Sequence, residues 1–260
     1  VETGVDSLLS ISYPTAIAAT SDGKAWVADY GPGSLLFFDA DPSLAASIPF
    51  PGYAVDLAAE EETSQCWVVD TWEAELVRAS PSGVLSRTAL PNYPYSVSWS
   101  GFDRHVWVGH ASGITKYSPQ GDPQETYAEP ARPYRVSASP WDGSCWAIDG
   151  ETDTVVKMPA GGGPPTVVGG FDQPSDVSAL AADGYCWVAD WGAEQAVLLG
   201  PDGSREGAWR MPGITGVSAC PSSESAWAVC GDGLVRLGRD GEAECVIAGL
   251  ANGMAAATVP

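Results

Sequence analysis

The sequence predicts an all-β protein, a six-bladed β-propeller of four-stranded antiparallel blades, and three observations carry that prediction. The first is repetition: Trp26, Trp67, Trp107, Trp146, Trp187 and Trp227 are separated by 41, 40, 39, 41 and 40 residues. Each sits in a similar run, "GKAWVAD", "SQCWVVD", "RHVWVGH", "GSCWAID", "GYCWVAD" and "ESAWAVC". The second is strand chemistry. Runs of four to seven residues, rich in β-branched and aromatic types, alternate with Asp-Gly, Gly-Gly or Pro-containing turns. The third is that apolar residues nowhere recur at helical spacing over three turns. A unit of about forty residues holding four short strands is one propeller blade.

One unit shows the elements in order. In residues 174–209, "PSDVSAL" leads through Asp183-Gly184 into "YCWVAD", and a loop at Trp191-Gly192 leads into "QAVLLG". Pro201-Asp202-Gly203 then turns the chain into "REGAWRM". With strands A to D counted from the axis outward, the blades span about residues 13–49, 53–89, 94–128, 134–169, 174–211 and 214–249. Before them "VDSLLSISY" reads as a strand D, and after them "NGMAAATV" reads as a strand A. The expectation is one domain over 1–260, closed by residues 5–12 and 252–259. Residues 5–12 would strap the outside of blade 6, because a bare sheet edge invites aggregation.

Each blade is covered on both faces by its neighbours, which explains apolar residues on both sides of "CWVAD" and "TVVKM". The repeated Trp is expected to fill the space between blades, its indole nitrogen donating to a backbone carbonyl. The residue three after each Trp is Asp29, Asp70, His110, Asp149, Asp190 or Cys230. Strand B lies second from the axis, so symmetry spreads these groups around a wide circle and they cannot meet on one ion. The Asp residues are expected to accept backbone N–H bonds at the B–C turns.

Two histidines, His105 and His110, are too few for a three-His zinc site, and only His110 lies at the top end of its strand. It reads as a surface His at a turn. Cys66, Cys145 and Cys186 share one repeat position, and equivalent sites on adjacent blades are about 10 Å apart, beyond disulfide reach. With Cys220, Cys230 and Cys245 spread over blade 6, free thiols are expected throughout. The run Glu60-Glu61-Glu62 reads as a solvated hairpin tip, and "AGGGPP" as a turn, because no Lys-Ser/Thr or helix follows it.

The pattern "P-x-x-V-S-A…D-G-x-C-W-V-A-D…V-V-x-x…D-G" resembles NHL-type repeats and the related propellers of the virginiamycin B lyase type, over residues 13–249. The stretches "YGPGSLL", "TWEAELV", "GETDTVV" and "WGAEQAV" lack the Asn and Arg usual in NHL repeats. The resemblance implies the propeller fold, and it implies either a binding module or an enzyme, since the superfamily holds both.

Charge narrows the partners. Twelve Lys and Arg stand against 33 Asp and Glu, a formal net charge of −21, which repels nucleic-acid phosphates and anionic lipid heads. No apolar run reaches the roughly 18 residues of a spanning helix, so no membrane insertion is expected. Acidity and turn richness favour the outside of a bacterial cell or its periplasm, and the expected state is a monomer.

The candidate site is the top face, where the D–A and B–C connections lie. Tyr53, Tyr95 and Tyr134 are placed in matching D–A connections, and Tyr30, Trp72 and Trp191 in B–C loops. Asp56, Asp176 and Arg135 lie among them. Rings on a rigid scaffold suit a protein, peptide or glycan partner, because they offer contact area at little entropy cost. The reading is a non-enzymatic binding module with no cofactor and no metal site. The alternative is a metal-assisted lyase or hydrolase of the lactonase or virginiamycin B lyase kind.

Overall fold

The computed structural model describes residues 11–247 apart from 42, 221–223 and 232, and within strands it leaves out the side chains of 244 and 245. It contains six four-stranded antiparallel sheets in which strand order follows chain order. Blade 1 is β1 (Pro14–Ala19), β2 (Ala25–Asp29), β3 (Ser34–Phe38) and β4 (Leu44–Pro49). Blade 2 is β5 (Ala54–Ala59), β6 (Cys66–Asp70), β7 (Glu75–Ser80) and β8 (Gly83–Ala89). Blade 3 is β9 (Pro94–Ser100), β10 (His105–His110), β11 (Gly113–Tyr117) and β12 (Pro123–Tyr127). Blade 4 is β13 (Pro133–Ala138), β14 (Cys145–Asp149), β15 (Thr154–Met158) and β16 (Thr166–Val168). Blade 5 is β17 (Pro174–Ala179), β18 (Cys186–Asp190), β19 (Gln195–Leu199) and β20 (Arg205–Arg210). Blade 6 is β21 (Ile214–Ala219), β22 (Ala226–Cys230), β23 (Gly233–Leu237) and β24 (Ala243–Ile247). The closing strands expected at 5–12 and 252–259 lie outside the described residues, save Ile11 and Ser12, which belong to no strand.

The core is cut into slabs between blades. The buried apolar side chains form five clusters, each shared by two consecutive blades. Trp26, Trp67, Trp107, Trp146 and Trp187 are each sealed in the slab facing the next blade. Cross-strand partners cover several of these rings: Arg78, Lys116 and Lys157 oppose Trp67, Trp107 and Trp146 on the neighbouring strand. Their cations lie 5.2, 5.3 and 5.2 Å from the ring centroids, within cation–π range.

The indole nitrogens behave less uniformly than expected. Trp107 Nε1 donates to the Gly143 carbonyl at 3.2 Å, whereas Trp67 Nε1 donates to the Glu60 carboxylate at 2.8 Å. Trp26, Trp146 and Trp187 have no acceptor in reach of the nitrogen. Glu60 is a correction too: it is buried and not a solvated tip, holding Trp67, Thr63 and the Arg78 guanidinium together. Glu61 caps the neighbouring hairpin instead, accepting from the Ser21 N–H and hydroxyl. Cys66, Cys145, Cys186, Cys220 and Cys230 are free thiols.

Strand A is the inner edge of every blade, so its outward N–H groups need acceptors from elsewhere. Side chains of the preceding blade supply them. Asp56 accepts from Val97 N at 3.0 Å, and Ser96 and Ser98 accept from Val136 N and Ala138 N at 3.3 and 3.0 Å. Ser137 accepts from Ala179 N, Asp176 from Val217 N and Ser178 from Ala219 N, at 3.0, 3.0 and 2.9 Å. These bonds stitch blades 2 to 6 around the axis. In blade 1 the matching positions are Ala16 and Ala18, which carry no acceptor.

Candidate functional site

The Asp residues that end strand B organise the top face. Asp29 accepts from Ser12 N and Tyr13 N at 3.0 and 2.8 Å, and from Gly31 N at 3.3 Å. Asp70 accepts from Tyr53 N, Trp72 N and Glu73 N at 3.1, 3.0 and 3.4 Å. Each carboxylate therefore ties a D–A connection to the B–C turn beside it, which extends the turn role expected of it. Burial pushes the Asp29 carboxyl up, but the three N–H donors outweigh it and hold it below the usual range. Close approach demands glycine here: a Cβ on Gly52 would sit 1.7 Å from Asp70 Oδ2. His110 takes the Asp position in blade 3. It is buried and not a surface His, because the turn closes over it: its Nδ1 accepts from Ser112 N at 3.2 Å, so Nε2 carries the proton towards Thr115 Oγ1 at 2.9 Å.

Because these clamps draw the connections of blades 1 and 2 together, their rings touch. Tyr30 meets Tyr13, Tyr53 and Trp72 edge-on at centroid distances of 5.8, 5.1 and 5.5 Å. Tyr53 and Trp72 stack at 6.0 Å. Trp72 is 59% exposed and Trp191, on the same face in blade 5, is 49% exposed. Tyr13 was not singled out in the sequence. Its signal is the register: the Tyr13, Tyr53 and Tyr93 carbonyls each accept from the residue that follows the strand-B terminus.

Tyr95 and Tyr134 depart from their expected places. They lie in the strands β9 and β13, two residues past the true equivalents of Tyr53, and both are half-buried. Tyr134 packs against the core between blades 4 and 5 and donates its hydroxyl to the Pro174 carbonyl. It is a plug, not a rim residue.

Asp56, Arg135 and Asp176 occupy one repeat position on strand A, together with Ala16, Ser96 and Gly216, and face the axis. With Ser96 and a wall of Ile17, Val27, Val55, Val97 and Val136 they line a cavity of about 540 Å³. Arg135 Nε lies 3.8 Å from Asp176 Oδ1. Burial pushes the Asp176 carboxyl up to about 6, against the pull of Arg135 and the backbone donors. Asp56 is raised for the same first reason, although Ser96 Oγ donates to it at 2.7 Å. Among the described residues no three His, Cys, Asp or Glu side chains are placed to hold one metal ion.

No protein-family model and no curated protein matches the chain. Solved structures match its fold. Virginiamycin B lyase from Staphylococcus aureus superposes with a TM-score of 0.77 at 13% identity, over 92% of this chain and 85% of that one. A streptogramin B lyase gives 0.76 at 15% identity, over 90% and 82%. The WD40 repeats of RRP9 give 0.80 at 11% identity, over 95% and 84%. At such identities the likeness is one of architecture, shared by an enzyme and a repeat scaffold alike. The chain is similar to these proteins as a β-propeller.

Proposed function

We propose that this propeller is a non-enzymatic binding module whose top face takes a protein, peptide or glycan partner against exposed rings. The observation that carries the reading is the contiguous cluster of Tyr13, Tyr30, Tyr53 and Trp72, clamped from beneath by Asp29 and Asp70. Such rings are rigid, so a partner gains contact area without ordering the surface first. The polar ring of Asp56, Arg135 and Asp176 gives one end of a ligand both signs of charge to meet. A panel of immobilised oligosaccharides and Pro-rich peptides tests this. The reading expects at least one member to be retained by the unaltered protein and lost with Trp72→Ala; retention that ignores Trp72 and Trp191 would refute it.

One observation favours a second reading, a metal-assisted lyase or hydrolase. Asp176 is held near 6 in a cavity beside Arg135, which suits a proton-transfer group. Metal analysis of the purified protein with and without chelator separates the two readings. One tightly held divalent ion per chain would favour the enzyme. The binding reading places the protein as a monomer outside the bacterial cell or in its periplasm, which cell fractionation checks.

A further inference from the structure

Cations cover rings in most parts of this fold, but not at the rim of blades 1 and 2. Phe50, Trp67, Trp107, Trp146, Phe171 and Tyr185 each have a Lys or Arg cation 3.7–5.8 Å from the ring centroid. Among the described residues no Lys or Arg lies over Tyr13, Tyr30, Tyr53 or Trp72, although Tyr13 and Trp72 are more than half exposed. The bases of these two blades are already engaged. Over residues 11–89 they are Lys24, Arg78 and Arg87, which sit 2.5, 2.8 and 2.6 Å from carboxylate oxygens of Asp22, Glu60 and Glu75.

The acids beneath the rings have no such partner. Asp29 and Asp70 accept the N–H groups of Tyr13, Tyr53 and Trp72, and among the described residues neither they nor Glu73 pair with a Lys or Arg. All three bonds to Asp70 go to Oδ1; its Oδ2 is buried against Gly52 with no donor. A half-satisfied carboxylate in low-dielectric surroundings sets up a negative potential around it, and the face of an aromatic ring is itself the negative pole of its quadrupole. Both fields select a cation. Shape agrees. The rings touch at centroid distances of 5.1–6.0 Å, too close to admit a ligand between them, so a ligand must lie over their open faces. The turns beside them, Gly31-Pro32-Gly33 and Pro51-Gly52, carry no polar side chain to fix sugar hydroxyls. We propose that the cluster of Tyr13, Tyr30, Tyr53 and Trp72 receives a Lys or Arg side chain from a basic polypeptide segment, which rests on the binding-module reading and narrows its partner.

Calorimetric titration of the full chain with three end-capped peptides tests this. The probes are an alternating Gly-Arg peptide, its Gly-citrulline isostere, which keeps the shape and loses the charge, and a neutral Pro-rich peptide. The Gly-Arg peptide should bind best. Trp72→Leu should weaken that binding about fivefold or more, and Trp72→Phe should weaken it less, because Trp offers the strongest cation–π face and Phe keeps part of it. Phe102→Leu should leave it unchanged: Phe102 is equally exposed, but in the hairpin between β9 and β10, so this variant separates the cluster from diffuse attraction to a chain of net charge −21. Equal affinity of the unaltered and Trp72→Leu proteins for the Gly-Arg peptide would overturn the proposal, as would failure of that peptide to bind. Gly-citrulline or Pro-rich peptide bound through Trp72 as tightly as Gly-Arg would sink the cation inference and leave the binding-module reading standing. If no peptide or oligosaccharide depends on Trp72, both fall.

Discussion

Trp146 in blade 4 and Trp72 in blade 2 are the same side chain, and the fold treats them oppositely. Trp146 lies on β14, facing blade 5 among Ile148, Val177 and Cys186, with the Lys157 ammonium above its ring. Trp72 lies two residues past the end of β6, where Asp70 has captured its N–H and the indole stands in water. A shift of a few residues past the strand terminus turns a ring from core into surface. The comparison separates aromatics that hold the blades together from aromatics left free to meet a partner.

Trp146→Ala should be the most damaging change, costing about 3–5 kcal/mol because the slab cannot collapse around the void. A urea melt reads it, and a loss below about 1 kcal/mol would mean that the ring is not a keystone. Glu60→Ala should follow at about 3 kcal/mol, the low end for breaking a buried pair, since Arg78 keeps some water contact. Gly52→Ala forces a methyl against Asp70 and should cost about 1–3 kcal/mol. Near-UV circular dichroism should change with it, because the Tyr53 and Trp72 clamp is disturbed; an unchanged spectrum would separate the clamp from the cluster.

A smaller effect lies in the cavity. The Asp176 carboxyl is raised when folded, so its stabilising contribution is present below about pH 4 and fades as pH climbs through about 6. Asp176→Asn cannot ionise, and its stability should fall less than that of the unaltered protein between pH 4 and 6. Arg135→Gln removes the countercharge that pulls the Asp176 carboxyl down, so the loss should begin near the same pH, extend to higher pH and be larger than in the unaltered protein. Parallel melting curves for all three proteins across that window would disprove the assignment.

Much of this was legible beforehand, for identifiable reasons. The blades followed from the Trp period because a residue sealed between sheets must recur once per sheet. Free Cys66, Cys145 and Cys186 followed from their shared position. What the sequence concealed depends on partners far along the chain. Glu60 reads as one of three surface acids until Arg78 and Trp67 are folded onto it. Asp56 and Asp176 read as ligand contacts, yet each also accepts the N–H of a residue about forty positions on, in the next blade. Tyr95 and Tyr134 were misplaced because Tyr-Pro at 13–14 and 93–94, not the Tyr after Pro, marks the rim.

The most direct test pairs stability with binding in one sample: thermal melting of Trp72→Ala/Trp191→Ala with and without whichever oligosaccharide or Pro-rich peptide the unaltered protein retains. Surface substitutions of this kind should change stability by no more than about 0.5 kcal/mol. The account predicts the melting point of the unaltered protein without probe, and no upward shift when probe is added. A clearly lower melting point without probe, or an undiminished shift with it, would show that these rings brace the fold and do not receive a partner.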